Sequence, residues 1–266
     1  MNKIYLSLIG GTLCLLISSC KTYLSPAVLG NNIGYLARPM LSDDKHSATY
    51  VNGAYAAALS PSGLSIEMGM LTAHRSHTFN SFNLSYGAFG FLGKAMQGNS
   101  AVELNEDELP PFKKSTYGLG LRTSMGYQLV SGNGNTNFRL INWENSYSVE
   151  AGDYLNYRKS LFNKGLYSDI SVSDQKNVWT TGLSTEIIWH ARRNKNIQHA
   201  FRYFIGFTPG ALNSFDNGNS AFKNEYGNTP SSKSFSYFLK IYRVSLTYEY
   251  SSNINLGNSI SLGYSF

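Results

Sequence analysis

The chain has 266 residues, of which 14% are charged and 14% aromatic, with 19 Tyr set against 22 Lys and Arg. That balance excludes a disordered chain and departs from an average soluble domain, while the length suits a single all-β unit. The net charge of +6 comes from basic residues scattered through turns, with no Lys/Arg run interleaved with aromatics. This argues against nucleic acid and for a lipid-headgroup or lipopolysaccharide neighbour.

Both cysteines, Cys14 and Cys20, lie near the start. The mature chain therefore offers no intradomain disulfide and no Cys-based metal site. Lys3 and the apolar run from Ile4 to Ile17, too short and too broken by Gly and Ser to span a bilayer, read as a secretory signal over residues 1–19. Ile17-Ser18-Ser19-Cys20 resembles the bacterial lipobox. That resemblance implies that Cys20 becomes the acylated first residue, with more than one acyl chain and hence stable membrane attachment. Surface-exported lipoproteins of the Bacteroidota resemble one another in an acidic run just after the cysteine. Lys21 to Pro26 lacks it, which implies a lipid in the periplasmic leaflet. Residues 20–45 are expected to form a lipidated tether or periplasmic plug, with Val28 to Leu36 a candidate short strand.

From residue 46 to 266 the main signal is period-two alternation. His46 to Leu59 is a loose Tyr/Ala-rich strand, closed by the turn Pro61-Ser62-Gly63. Leu64, Ile66, Met68 and Met70 are then expected to face lipid, with Glu67 inside, before a turn around His74 to His77. Phe82, Leu84, Tyr86 and Ala88 mark the next outward face. Met96 to Lys114 is a long connection whose acidic patch (Glu103, Glu106, Asp107, Glu108) lacks EF-hand spacing and reads as solvated.

The fourth strand sets Tyr117, Leu119, Leu121, Met125, Tyr127 and Leu129 outside against Gly118, Gly120, Arg122, Ser124, Gly126 and Gln128. The fifth sets Ile141, Trp143, Tyr147 and Val149 against Asn142, Glu144, Ser146, Ser148 and Glu150. Gly152 to Lys176 is a second long connection with room for a helical turn at Tyr154 to Phe162. The sixth strand exposes Trp179, Leu183, Ile187 and Trp189, and the seventh Phe201, Tyr203, Ile205 and Phe207 opposite Arg202. Pro209 to Lys233 is a third long connection. The eighth strand presents Tyr242, Val244, Leu246, Tyr248 and Tyr250, with Arg243 and Glu249 inside. The chain ends on Ile260, Leu262, Tyr264 and Phe266, alternating with small residues.

A soluble sandwich would carry Lys, Glu and Thr on its exposed face. Here the large apolar residues and the charges sit on opposite faces, an inside-out distribution that is costly in water and favourable in lipid. The expected fold is therefore all-β, an antiparallel transmembrane β-barrel of about 8 to 10 strands. One conflict stays open. Counted this way, the final strand ends on the wrong side of the membrane, unless a strand is missing, the long connections face the periplasm, or the last segment continues the eighth strand after a bulge.

The predicted interior collects Glu67, Arg122, Glu144, Glu150, Glu186, Arg202, Arg243 and Glu249. A lumen of about eight strands only just accommodates side chains, so these charges are expected to pair and leave no pore. Ser184, Glu186 and His190 share one inward face and invite comparison with barrel-shaped lipases and lipid A deacylases. Ser184 and His190 are nevertheless roughly 20 Å apart along one strand, too far for a nucleophile and base. His74 and His77 read as solvated strand-end residues rather than a metal pair. No catalytic residue, cofactor or metal is assigned, and no phosphate loop, zinc spacing or dinucleotide fingerprint is present.

Taken together, the lipobox at Cys20, the alternating body and the ending at Phe266 resemble the small outer-membrane β-barrel lipoproteins of the Bacteroidota. The terminal strand resembles the assembly signal of such barrels. The resemblance implies a protein of the bacterial outer membrane, both lipid-anchored and membrane-spanning, whose partners are outer-membrane lipid and a larger membrane complex. A closed barrel with its own anchor points to a non-enzymatic structural or accessory subunit of an assembly for protein insertion or secretion. The alternatives are a small barrel binding a hydrophobic ligand or lipopolysaccharide, and a lipid-modifying hydrolase.

Overall fold

The computed structural model describes residues 22–60, 63–98, 109–132, 134–164, 170–192, 194–211, 215 and 231–266. In chain order the elements are β1 (Thr22–Leu24), β2 (Ser47–Leu59), β3 (Leu64–Thr78), β4 (Phe82–Gln97), β5 (Phe112–Val130) and β6 (Thr136–Ala151), then the helix α1 (Asp153–Lys164). They continue with β7 (Ile170–Val172), β8 (Asn177–Ala191), β9 (Asn194–Phe207), β10 (Ser231–Ile241), β11 (Val244–Ser252) and β12 (Leu256–Ser265). Ten of these strands close into one antiparallel barrel in the order β10-β11-β12-β2-β3-β4-β5-β6-β8-β9, and β1 pairs with β7 alone. Closure satisfies every strand edge, the condition for crossing a membrane with strands.

β10 is the strand missing from the sequence count. Its inner face is Ser232, Ser234 and Ser236, and its outer face Lys233, Phe235 and Tyr237. With it the strand number is even, and β12 descends to the same rim from which β2 starts. At that rim all the connections are short: 79–81, 131–135, 192–193 and Tyr242-Arg243. The opposite rim carries 98–111, 152–176 and 208–230, together with the shorter 60–63 and 253–255. All three long connections thereby lie at one end, as in outer-membrane barrels.

Large apolar side chains face outward around the wall: Leu71, Leu119, Leu121, Ile141, Leu183, Ile205, Leu246 and Leu262 are all exposed. The predicted faces of β5, β6, β8, β9, β11 and β12 match the burial pattern. β3 is inverted: Leu64, Ile66, Met68 and Met70 are buried inside, while Gly69 and Leu71 face out. β3 also runs on through the expected turn at His74 to His77. In β6 a bulge places Leu140 and Ile141 both outside and brings Arg139 as well as Asn142 inside. The helix at Asp153–Lys164 is longer than the single turn expected there.

Candidate functional site

The lumen is occupied by the chain's own N-terminal segment. Every residue from Tyr23 to Met40 is buried, and none of Val28 to Leu36 is strand. The segment expected as a tether or periplasmic plug is thus an irregular plug inside the barrel. It enters at the long-connection rim, where β1 pairs with β7, and leaves at the short-turn rim, where Thr78 Oγ1 donates to Pro39 O at 2.7 Å. Irregular backbone at membrane depth is tolerated only when protein groups satisfy it. Here the barrel wall supplies them.

The plug has an apolar upper part and a polar lower part, and the wall matches both. Tyr23, Leu24, Ala27, Val28 and Leu29 pack against Leu64, Ile66, Met68, Phe89, Phe91 and Ala95. This apolar inner layer is the physical reason that β3 turns its oily face inward. Lower down, Arg122 donates to the carbonyls of Asn32 at 2.9 Å and Asn31 at 3.0 Å, and Ser146 Oγ also donates to Asn32 O. His74 Nε2 lies 3.0 Å from Ala37 O, and Ser76 Oγ donates to the same oxygen at 2.7 Å.

Three Arg–Glu pairs lie in the lumen, while Arg122, Arg38 and Glu249 bond neutral groups. Near the long-connection rim, Glu150 accepts from Arg158 of α1 at 2.9 Å and from Ala27 N at 2.9 Å. Deeper, Glu144 holds Arg202 through Arg202 Nε at 2.9 Å and a second contact from Nη2, and accepts from Ser184 Oγ. Below that, Arg139 and Glu186 face each other in register across β6 and β8 at 2.8 Å, and Tyr35 OH also donates to Glu186. Glu249 accepts from Tyr35 N and Ser236 Oγ. Arg38 donates to Asn83, Asn142 and Ser124, three neutral side chains on three neighbouring strands. At the exit, His190 Nε2 lies 2.9 Å from Asp43 Oδ1.

Groups outside the membrane-spanning strands fix both ends. Burial pushes the Tyr154 phenol well above its usual range, which keeps it a donor to Ser25 O at 3.0 Å. For Asp43, burial alone would raise the carboxyl. The hydrogen bond to His190, the Lys240 ammonium and the Met40 N–H outweigh it and hold the carboxyl below the ordinary carboxylate range.

Two predicted interior charges lie elsewhere. Glu67 belongs to the outward face of β3 and pairs with Lys94 at 3.4 Å on the outer wall, because the β3 faces are reversed. Arg243 sits in the two-residue hairpin turn after β10, beside Tyr242 with φ of 55°, and reaches Tyr264 OH outside the lumen. Conversely, Arg38, Arg139 and Arg158, all buried, had no place in the sequence reading. Arg139 was hidden by the phase shift of the bulge. Arg38 and Arg158 lie outside any alternating segment; Arg38 stands alone in an otherwise uncharged stretch, whereas Lys159 adjoins Arg158.

The proposed chemistries meet plain geometry. Ser184 is committed to Glu144, and His190 to Asp43, so the two are not a nucleophile–base pair. His74 points into the lumen and His77 outward, on opposite faces of β3. Among the described residues no group of three His, Cys, Asp or Glu is placed to hold a metal. The gap left between plug and wall beside Arg122 and Glu249 measures about 30 Å³. Outside, Gly53, Gly69 and Gly90 floor a shallow apolar depression in the wall, rimmed by Leu71, Leu92 and Leu119. Ile260, Leu262, Tyr264 and Phe266 all face outward, and Phe266 N donates to Thr49 O at 2.9 Å. Cys14, Cys20 and the acidic patch at 103–108 lie outside the described residues.

A closed antiparallel barrel with an apolar outer wall and a filled, largely polar interior is the architecture of an outer-membrane β-barrel. No family model and no curated protein matches the chain. Among solved structures it is similar to the β-domain of a Bordetella autotransporter, BrkA (7% identity, TM-score 0.46, covering 84% of this chain and 99% of that one). It is also similar to the transport unit of the Escherichia coli autotransporter AIDA-I (11%, 0.40, 90% and 96%). A third is an outer membrane channel from Pseudomonas putida F1 (10%, 0.39, 87% and 98%). At such identities and TM-scores the likeness assigns no activity.

Proposed function

We propose that this protein is a non-enzymatic outer-membrane β-barrel lipoprotein, anchored through Cys20, that serves as a structural or accessory subunit of a larger outer-membrane assembly for protein insertion or secretion. One observation carries the reading: the lumen is filled by residues 23–40 of the same chain, hydrogen-bonded to the wall through Arg38 and Tyr35 of the plug and through Glu150, Arg122 and Arg139 of the wall. A barrel closed in this way has its wall and its rims left for function. Conduction would require breaking the bonds of Arg122 and Arg139 to plug carbonyls and those of Arg38 to the wall together. A hydrophobic ligand inside would need an apolar cavity, whereas the gap beside Arg122 is polar and about 30 Å³. A hydrolase would need a free nucleophile beside a base, which Ser184 and His190 do not provide.

The test is gentle detergent extraction of the native protein, followed by size analysis and mass spectrometry of its companions. Stoichiometric recovery with one larger membrane complex supports the accessory role. Recovery as a lone particle near the chain's own 29.4 kDa contradicts it.

A further inference from the structure

Thr22, the first described residue, and Phe266 lie at opposite rims of the barrel. Thr22–Leu24 pairs in parallel with Ile170–Val172, within the 152–176 connection, and Ser173 N donates to Leu24 O at 3.0 Å. The next residue is fixed to the same rim: Tyr154 OH of α1 donates to Ser25 O, and Asn255 Nδ2, in the β11–β12 turn, donates to Ser25 Oγ at 2.8 Å. The other end of the plug is clasped by His190 at Asp43, at the short-turn rim where β2 begins and Phe266 ends. The segment between them crosses the lumen from rim to rim.

In outer-membrane barrels the short turns face the periplasm and the longer loops the exterior. Here four short turns, the start of β2 and the carboxyl end share one rim, so that rim is periplasmic. We propose that the chain is threaded outward through its own barrel, with its amino end displayed on the external face, and that a lipid on Cys20 therefore anchors in the outer leaflet. The lipid half rests on the reading of Cys20 given above; the threading does not. Cys20 is two residues from Thr22, a reach of at most about 7 Å, too short to return through the barrel. This is the leaflet opposite to the one implied by the missing acidic run after Cys20. The threaded route itself delivers the amino end outside.

Assembly follows from the same geometry. The plug is bonded along its length to strands far from it in sequence, an arrangement that suits a barrel closing around a segment already in place. Arg122, Ser146, Ser76 and Thr78, on three different strands, bond the plug's carbonyls and supply the template for that closure.

The experiment places a short epitope after Lys21 in one version of the full chain and between Asn80 and Ser81 in another, and probes intact cells with antibody. The first epitope is expected to be reached on intact cells and the second only after the outer membrane is permeabilised. A first epitope that stays hidden until permeabilisation overturns the threading, whichever way the second behaves. Incorporation of alkyne-tagged palmitate into the wild type, lost in Cys20→Ala, is expected alongside. An exposed first epitope without any palmitate label overturns the lipid half alone. If the insertions prevent assembly, Tyr23→Cys with Ser171→Cys, which are partners in register, should close a disulfide in native membranes. Free thiols at both positions there overturn the threading.

Discussion

Gly34 of the plug and Arg122 of β5 leave each other no spare room: a Cβ on Gly34 would lie 2.1 Å from Arg122 Nη1. The missing side chain lets the guanidinium reach the carbonyls of Asn31 and Asn32 while its face lies over the Phe89 ring, 4.1 Å from the centroid. Gly34→Ala is expected to cost about 1–3 kcal/mol through overpacking, read as a lower urea midpoint by circular dichroism. Pairing it with Arg122→Gln, a shorter side chain, should give a loss smaller than the sum of the two single changes. Strictly additive losses would show that the two residues do not meet.

Glu144 and Glu67 separate inside from outside. Glu144→Gln leaves the buried Arg202 guanidinium without its carboxylate, an expected loss of about 3–5 kcal/mol. Glu67→Gln disturbs only a part-exposed pair with Lys94 on the outer wall and should cost under about 1 kcal/mol. Equal effects on the unfolding midpoint would contradict the assignment of faces on β3.

The clasp at Asp43 sets a pH dependence. Its carboxyl is depressed in the folded protein, so its stabilisation is fully present above the unfolded value, about 4, and is lost as the pH falls through the folded value. Asp43→Asn should therefore lower the unfolding midpoint at pH 7, and the difference from wild type should shrink at about pH 3. A difference that is constant with pH would rule out a contribution from ionised Asp43.

Phe266 is tied to β2 by its N–H to Thr49 O, with its ring 5.0 Å from that of Tyr264. Deleting Phe266 removes the last contact of the β12–β2 seam at the periplasmic rim. The truncated chain is expected to reach the outer-membrane fraction in smaller amount, measured by quantitative blot against an unchanged precursor pool. Equal amounts would remove Phe266 from any part in assembly.

Alternation made most of the barrel wall readable, and it worked best where the two faces differ in size as well as polarity. On β5 small residues and Arg122 alternate with Leu119, Leu121 and Tyr127, which leaves one choice of inside. On β3 the period was right and the side wrong. Periodicity marks two faces without saying which is inner, and Ile66 and Met68 look inward because they share one apolar cluster with Val28 and Leu29 of the plug. β10 overlaps the long connection expected at Pro209 to Lys233, because its inward serines resemble linker composition. The missing period after Cys20 is compatible with a tether or a plug, but local pattern does not place that segment in the lumen. Its backbone has no repeat, and its partners lie as far along the chain as Glu249, which accepts from Tyr35 N.

The most direct test of the filled lumen is single-channel recording of the purified full-length protein in a planar bilayer. A silent membrane, in which insertion produces no current steps, is expected because residues 23–40 occupy the lumen. Steady open steps in the intact wild-type chain would contradict it and make the protein a channel.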